Sequence, residues 1–400
     1  MSRRSEETLT LPWMPASPRL LKRAVMDHTL LGITVFLALI GLIMVFSASA
    51  VVADNRFHDS GFFLKRQLIW FTCGLVLLHL VARIDYIWWK RLAIPLLGLM
   101  GLLLVLVLVP SLGVVANGAR RWLRLGPISI QPAELAKLIA VIYLAAYLAK
   151  KEDQITNFVS GLVPPLLVIG VLGGLVLLER DLGTVVVMGL VAISLLFLGG
   201  ARLSHLVSLG LCAVPVVLVL VLGSKYRRDR LMTFLDPWKD ASDTGFQITQ
   251  SFLAFGSGGP FGVGLGEGKQ KLFFLPEAHT DFVLALVGEE LGLVGTGAII
   301  LLFAVFVVRG FQIAARARMP FGRYLGMGIT LLIGGQALIN TSVVTGLVPN
   351  KGLTLPFVSY GGSSLITCMV GIGILLNISR DRQMGREDFL RSGQGGSSYQ

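Results

Sequence analysis

The sequence predicts an all-α polytopic membrane protein with about ten transmembrane helices and one large extracytoplasmic loop between spans 7 and 8. Mean hydropathy is +0.76, 54% of the residues are apolar and only 14% are charged, values that exclude an ordinary soluble domain. A spanning helix needs about 20 apolar residues. Charged segments separate ten apolar runs, whose centres lie near positions 40, 74, 100, 141, 168, 190, 213, 294, 335 and 368.

The distribution of Lys and Arg predicts how these runs cross the membrane, because cytoplasmic loops carry an excess of both residues. With ten spans, the two tails and the basic loops near residues 90, 150, 202 and 316 share one side. We therefore expect a cytoplasmic N-terminal tail (1–26), a membrane domain (27–380) and a cytoplasmic C-terminal tail (381–400). The first run is too long for a signal-peptide core, so Ala-Ser-Ala at 48–50 is interpreted as part of a retained span.

Two loops on the opposite side depart from this charge rule. One contains Arg120, Arg121 and Arg124, and the other, from about 223 to 280, contains seven Lys and Arg residues. Long loops translocate whatever their charge, which explains the second loop but not the first. The outward cations predict an anionic ligand. The net charge of +12 is otherwise typical of basic loops facing anionic lipid, and nucleic acid is not an expected partner because no binding motif is present.

The long loop has internal structure of its own. The amphipathic spacing of residues 234–255 predicts two short helices at the membrane interface. Residues 256–268 contain seven glycines and predict a loop; Lys269 is followed by Gln270, which excludes a P-loop. The three cysteines, Cys73, Cys212 and Cys368, lie inside apolar runs without metal-site spacing, so we expect them to be buried small hydrophobes.

Three titratable groups meet the apolar eighth run at residues 275–282. They are Glu277, His279 and Asp281. Partial desolvation at such a boundary makes a carboxylate a better proton acceptor. Asp281 is expected in the first helical turn, beside Thr280 as N-cap. The residues alone leave open whether Asp281 is a general base or only stabilises the helix N-terminus.

Ionisable residues also occur within the apolar runs, where they are costly and face a cavity or a partner. Glu134 and Lys137 are three residues apart, on one helix face, and predict an intramembrane ion pair. Glu289, followed by Glu290 in the eighth run, is expected to pair with Lys137 or Arg121. Whether such pairs are only structural or couple the core to an active site stays open at this point.

Several blocks resemble the SEDS family of bacterial cell-wall polymerases, and its division branch most closely. Residues 348–365 carry Lys351 before Gly352 and the sequence Ser359-Tyr360-Gly-Gly-Ser-Ser. Residues 276–282 are similar to a Pro-Glu-x-His-Thr-Asp-Phe signature, and residues 121–137 to an Arg-Trp…Gln-Pro-[SA]-Glu-x-x-Lys pattern. Asp181-Leu-Gly-Thr resembles a further block, although Arg180 stands where the family usually has proline. The matched blocks extend from about residue 28 to 380.

This resemblance implies a peptidoglycan glycosyltransferase. Such an enzyme polymerises lipid II into β-1,4 glycan strands during septal cell-wall synthesis, by inverting displacement that releases undecaprenyl pyrophosphate. The resemblance implies that Asp281 is the general base. Substrate contacts are then expected from Arg120, Arg121, Lys351, Glu277, His279, Ser359 and Tyr360, and structural or coupling roles from Glu134, Lys137, Glu289 and Asp181.

Other classes of function need some of the same features. A lipid II flippase needs the groove and the cations but no surface base, and a scaffold would only recruit a septal synthase. The resemblance also implies a class B penicillin-binding protein and small bitopic division regulators as partners, in the cytoplasmic membrane at the septum. No metal site is predicted, although a divalent cation bridging Asp281 and pyrophosphate is chemically possible because hard cations prefer oxygen ligands.

Overall fold

The computed structural model describes residues 26–394 except 117, 127, 224, 240–244, 273–277 and 351. Each predicted apolar run corresponds to an α-helix. The helices are α1 (His28–Phe57), α2 (Phe62–Val81), α3 (Ile87–Leu108), α4 (Pro132–Lys150), α5 (Val163–Leu178), α6 (Leu182–Leu198), α7 (Leu203–Leu222), α8 (Lys225–Leu235), α9 (Phe246–Gly258), α10 (Val283–Ala315), α11 (Pro320–Val344) and α12 (Gly362–Gln394).

Eight helical segments within the described residues are long and apolar enough to cross a membrane, and α6 and the first part of α7 are shorter apolar helices. The number of spans therefore stays a prediction, whereas the mainly helical architecture is confirmed. The most enclosed segments are α4 and the first part of α12. By contrast, α7 exposes a series of Leu and Val side chains, as expected for a surface that faces lipid; examples are Leu203, Val207, Leu211, Val214 and Leu218.

A three-stranded antiparallel sheet between α3 and α4, which the sequence analysis did not predict, adds a small β element to the mainly helical chain. Its strands are β1 (Gly113–Ala116), β2 (Ala119–Leu125) and β3 (Ile128–Ile130), in that order across the sheet. Gly118 (φ 73°) and Gly126 (φ 63°) adopt the left-handed conformation at the two turns, which glycine accepts without a steric cost. The Asn-Gly dipeptide at 117–118 is the sequence signal for the first hairpin.

The eighth apolar run is interrupted. Helix α10 breaks at Gly292, whose φ of 67° and ψ of −164° are non-helical. A Cβ atom there would lie 2.3 Å from the Gly262 amide nitrogen. A side chain at 292 would therefore collide with the backbone of residues 259–268, which we call the glycine-rich loop. The part of α10 before the break (283–291) is buried, and the span follows it from Gly292 to Ala315. Glu289 and Glu290 therefore precede the segment that is long and apolar enough to cross a membrane.

The break leaves backbone N–H and C=O groups of α10 without helical partners, and the glycine-rich loop supplies hydrogen bonds to them. The amides of Val263 and Gly264 donate to the carbonyls of Glu289 (3.0 Å) and Glu290 (3.1 Å), and the Leu293 amide donates to the Gly259 carbonyl (2.9 Å). Buried backbone N–H and C=O groups need such internal partners. The loop thus becomes part of the helix bundle.

Two short helices, α8 and α9, occupy the long loop, but only α9 lies in the predicted segment of residues 234–255, because α8 ends at Leu235. Helix α9 packs against α10 with buried side chains that include Ile248 and Ala254. Its Ser251 hydroxyl donates to the Val344 carbonyl of α11 over 2.8 Å. The expectation of buried cysteines is wrong for Cys73 and Cys212, which are exposed on apolar helix surfaces, and right for Cys368.

Candidate active site

Asp281 lies in a turn, two residues before the first residue of α10. Because the N-cap is Phe282 and the helix begins at Val283, the expectation that Asp281 occupies the first helical turn with Thr280 as N-cap is wrong. The residue is half-buried, and its carboxylate faces the loop after α11: a Cβ atom added to Gly352 would lie 3.1 Å from Asp281 Oδ2. The backbone at Gly352, with φ of 62°, can approach the carboxylate closely because it has no side chain.

Three rings form an aromatic cluster beside this turn: Phe63 of α2, His279 and Tyr360. Ring centroids are 4.7 Å apart for Phe63 and His279, 5.2 Å for Phe63 and Tyr360, and 5.6 Å for His279 and Tyr360. The Tyr360 amide also donates to the His279 carbonyl over 2.8 Å. His279 and Tyr360, predicted separately as substrate contacts, are therefore neighbours. Apolar and aromatic walls with a few polar groups are typical of ligand sites.

A cation from α2 adjoins the aromatic cluster. The guanidinium of Arg66 lies over the Phe62 ring, 4.4 Å from the centroid, and near the Tyr360 phenol. Burial raises the pKa of the Tyr360 phenol above its ordinary value, and Arg66 opposes this with a smaller effect. Tyr360 is thus a neutral hydrogen-bonding group at neutral pH. Sequence reasoning missed Phe63 and Arg66. The signal was the Lys-Arg pair at 65–66, at the start of the second apolar run.

Ser359 is buried and shapes the turn that precedes α12. Its hydroxyl accepts from the Leu355 amide (2.9 Å), and its carbonyl accepts from the Gln67 side chain of α2 (3.2 Å). The predicted substrate contact of Ser359 stays untested. Glu277 and Lys351, two other predicted substrate contacts, lie outside the described residues.

The two arginines of β2 hold neighbouring backbone. Arg120 donates to the Leu108 carbonyl (3.3 Å). Arg121 donates to the carbonyls of Glu179 (3.2 Å) and Arg180 (2.6 Å), so it fastens the sheet to the turn between α5 and α6. A guanidinium has five N–H donors, which leaves Arg121 further donors for an anion. The predicted phosphate contact of both arginines stays a prediction.

Asp181 caps α6, which supports a structural role. Its carboxylate accepts from the Thr184 amide (3.0 Å) and hydroxyl (2.9 Å), the pattern of an N-cap aspartate. The Asp181 carboxylate also accepts from the side-chain amide of Gln131 (3.3 Å). The backbone N–H of Gln131 donates to the Ser363 hydroxyl at the start of α12 (3.0 Å). These contacts connect the α5–α6 turn to the helix that follows Tyr360.

Glu179, which sequence reasoning did not single out, is the most perturbed carboxyl in this region. It is 1% exposed, and neither carboxylate oxygen has a hydrogen-bond partner among the described residues. Burial raises its pKa to about 8; the nearby Asp181 charge adds to this shift and Arg121 opposes it. Because its pKa is raised, Glu179 is a buried acid that keeps its proton at neutral pH. It lies in the turn between α5 and α6, directly after the last residue of α5.

Glu179→Gln should flatten the dependence of stability on pH. The folded protein keeps a Glu179 proton that the unfolded chain loses above about pH 5, so the free energy of unfolding falls as pH rises toward 8. The variant lacks this titration. Between pH 5 and pH 8, its free energy of unfolding should therefore rise relative to that of wild type by on the order of a few kcal/mol. Thermal unfolding of both proteins across this range measures the difference. Asp153→Asn, at an exposed acid, is the control; parallel profiles for wild type and Glu179→Gln would contradict the prediction.

The predicted Glu134–Lys137 ion pair is confirmed. The Lys137 ammonium lies 2.9 Å from the Glu134 carboxylate, and both side chains are buried in the bundle. Lys137 also donates to Gln336 Oε1 of α11 (2.7 Å). Gln336 in turn donates to the Thr354 carbonyl (2.9 Å), in the loop that faces Asp281. The pair is thus connected to the candidate active site through one side chain.

The prediction that Glu289 pairs with Lys137 or Arg121 is wrong. Its carboxylate accepts from the backbone amides of Lys269 (2.8 Å) and Gln270 (3.2 Å). The neighbouring Glu290 accepts from Ser47 of α1 (2.6 Å) and forms an ion pair with Lys271 (2.9 Å). Both acids therefore anchor the end of the glycine-rich loop. Because this loop leads into the turn with His279 and Asp281, they stabilise the approach to the candidate active site.

No group of three or more His, Cys, Asp or Glu side chains that could hold a metal ion occurs in the part of the chain that the structure describes. The divalent cation that could bridge Asp281 and pyrophosphate stays a prediction.

Known proteins match almost the whole chain. The model of the cell cycle protein family of FtsW, RodA and SpoVE matches residues 28–384. A protein of Geobacter sulfurreducens named probable peptidoglycan glycosyltransferase FtsW is 48% identical over 88% of this chain and 95% of its own length. Stage V sporulation protein E of Bacillus subtilis is 45% identical over 90% of this chain and 98% of its own.

Solved structures agree with the sequence comparisons. One is a chain from a study of how a peptidoglycan synthase complex coordinates polymerization and crosslinking; it is 30% identical, with a TM-score of 0.74 over 90% of this chain and 98% of that one. The crystal structure of the Thermus thermophilus rod shape determining protein RodA is 31% identical, with a TM-score of 0.67 over 91% and 99% of the two chains. The protein therefore belongs to the cell cycle protein family of FtsW, RodA and SpoVE, and the SEDS resemblance is confirmed.

Proposed function

We propose that this protein is a peptidoglycan glycosyltransferase that polymerises lipid II into β-1,4 glycan strands during septal wall synthesis. Its relatives of 48% identity carry the name of that enzyme. The observation that carries the chemistry is that Asp281 is half-buried, with its carboxylate against the Gly352 backbone, in the turn that also carries His279 of the aromatic cluster. A carboxylate in such a position can take a proton from a substrate hydroxyl.

In the proposed reaction, Asp281 removes the proton from the 4-hydroxyl of the acceptor N-acetylglucosamine. The resulting oxygen nucleophile attacks the anomeric carbon of the growing, lipid-linked strand, and undecaprenyl pyrophosphate leaves with the bonding electrons. An α-linked donor gives a β-1,4 bond, so the configuration inverts. One displacement needs one base and no covalent intermediate, which agrees with a single candidate base.

The surrounding residues supply the other requirements of this chemistry. Apolar helix surfaces can accommodate the polyprenyl chain, and the aromatic cluster offers ring faces for a sugar. Charge on the leaving pyrophosphate is stabilised by cations. Arg120, Arg121 and Lys351 are the predicted candidates. We add Arg66 because it is exposed, lies over the Phe62 ring and is near Tyr360 of the aromatic cluster.

A lipid II flippase is the alternative from another class, and a non-catalytic scaffold is the third. Purified protein in liposomes with fluorescent lipid II distinguishes the three. A polymerase should convert the label into a ladder of glycan chains, whereas a flippase should move it between leaflets without chain growth. A scaffold should do neither. Leaflet exchange without polymer would reject the proposed function.

The proposed setting is the cytoplasmic membrane at the division septum, with both termini in the cytoplasm. A class B penicillin-binding protein is the proposed partner, supported by the likeness to a chain of a synthase complex that joins polymerization to crosslinking. Small bitopic division proteins are proposed as regulators. Copurification with the cognate penicillin-binding protein is the direct check, and polymerisation assays should include that partner.

A further inference from the structure

Helix α11 carries two buried amide side chains, Gln336 (2% exposed) and Asn340 (1% exposed). They are four residues apart and therefore lie on one face of the helix. We call them the amide pair. Both amides donate to loop backbone: Gln336 to the Thr354 carbonyl (2.9 Å), and Asn340 to the carbonyls of Leu353 (2.6 Å) and Asp281 (2.9 Å).

The orientation of Gln336 follows from Lys137. An ammonium group only donates hydrogen bonds, so the amide oxygen of Gln336 must face Lys137, at 2.7 Å. Its NH₂ group is then directed to the Thr354 carbonyl and hydroxyl, at 2.9 and 3.2 Å. Glu134 holds Lys137 in place (2.9 Å). The buried ion pair thus fixes which end of Gln336 meets the loop.

Asn340 joins two segments that meet at the candidate base. Asp281 precedes the N-cap of α10, so its carbonyl is outside the hydrogen-bond pattern of that helix. The Asn340 NH₂ group bonds this carbonyl and that of Leu353, the residue after Gly352. The Asn340 side chain therefore fixes the distance between the turn that carries Asp281 and the 352–354 backbone that faces the Asp281 carboxylate.

We infer that Gln336 and Asn340 are positioning residues for polymerisation: they hold the Asp281 turn and the 352–354 backbone in one fixed geometry without touching the substrate. This inference rests on the proposed role of Asp281 as base. Displacement of a reacting group by about 1 Å can cost on the order of 100-fold in rate. The amide pair should therefore affect kcat far more than the KM for lipid II.

Asn340→Leu is the main test, because leucine has the same number and branching of side-chain heavy atoms and cannot donate a hydrogen bond. Purified with its partner, the variant should show kcat lower by about 100-fold and a KM for lipid II within about threefold of wild type. Hydrogen–deuterium exchange should rise in residues 278–282 and 350–356. Gln336→Met, which keeps the shape and loses both hydrogen-bonding ends, is the second variant if the first does not fold. It should lower kcat and increase exchange in residues 350–356.

Thr330→Val is the matched control. Thr330 is also fully buried on α11, but its hydroxyl bonds only the Gly326 carbonyl of its own helix among the described contacts. The kcat of Thr330→Val and the hydrogen–deuterium exchange of residues 278–282 and 350–356 in this variant should match wild type. Wild-type kcat in Asn340→Leu, or equal loop exchange in Asn340→Leu and Thr330→Val, would overturn the inference.

A double variant separates this inference from the proposed function. If Asn340 acts through Asp281, Asn340→Leu should slow the Asp281→Ala protein no further than Asp281→Ala alone. Should Asp281→Ala prove active, the proposed base is wrong, while the exchange experiment still decides whether the amide pair orders the loops. Multiplicative rate losses in the double variant would show that Asn340 acts independently of Asp281 and would reject the positioning role.

Discussion

Asp281→Asn protein should elongate glycan between about 100-fold and 10,000-fold more slowly than wild type, the usual loss for removal of a general base. The amide matches the carboxylate in shape but cannot accept the hydroxyl proton. The hydrogen bond from Asn340 goes to the backbone carbonyl of residue 281 and should persist, so the fold should be retained. The initial rate of lipid II polymerisation by the purified complex, read from the length and amount of glycan, measures the loss.

The control for this experiment is Asp59→Asn, in the turn before α2. Asp59 forms a solvent-exposed ion pair with Lys65 (2.9 Å), and such pairs contribute about 0–1 kcal/mol. Polymerisation by this variant should stay within about twofold of wild type. Near-normal polymer from Asp281→Asn, with the control equally active, would remove the proposed base.

Lys137→Met should destabilise the protein by about 3–5 kcal/mol, the usual cost of removing one partner of a buried ion pair. The Glu134 carboxylate would remain buried without its cation, and Gln336 would lose the donor that orients it. The double variant Glu134→Gln with Lys137→Met should recover much of this loss, because no uncompensated charge remains. Thermal unfolding in detergent and the monodisperse fraction on size exclusion are the measurements.

Lys150→Met at the exposed end of the same helix is the control, and its unfolding midpoint should equal that of wild type. If Lys137→Met is as stable as this control, the ion pair contributes nothing to the fold. If the double variant is less stable than Lys137→Met, the two charges do not act as a pair.

Much of the helical framework was predictable because hydropathy is a local property. Each apolar run formed a helix, and the spacing of Glu134 and Lys137 sufficed to predict their ion pair. The break at Gly292 was not predictable, since it depends on contact with Gly262, thirty residues earlier in the chain. The sheet was missed because β1 and β3 are only four and three residues long, and because β2 mixes charged and apolar residues, which hides the alternation typical of a half-buried strand.

The candidate active site was predictable only in part. Sequence motifs identified Asp281, His279 and Tyr360, which the fold brings together. The partner of Glu289 was not predictable, because the carboxylate accepts from loop amides, and backbone groups leave no pattern of residue types. Gln336 and Asn340 did leave one: two amides at helical spacing within an apolar run, where buried polar groups require partners.

The pairing of the glycine-rich loop with the interrupted helix α10 restricts insertions and deletions. Hydrogen bonds between residues 259–264 and the residues on both sides of Gly292 fix the register in which the two segments pair. One added or deleted residue would move every later donor away from its acceptor. Homologues should therefore vary in the side chains of this segment while keeping its number of residues constant.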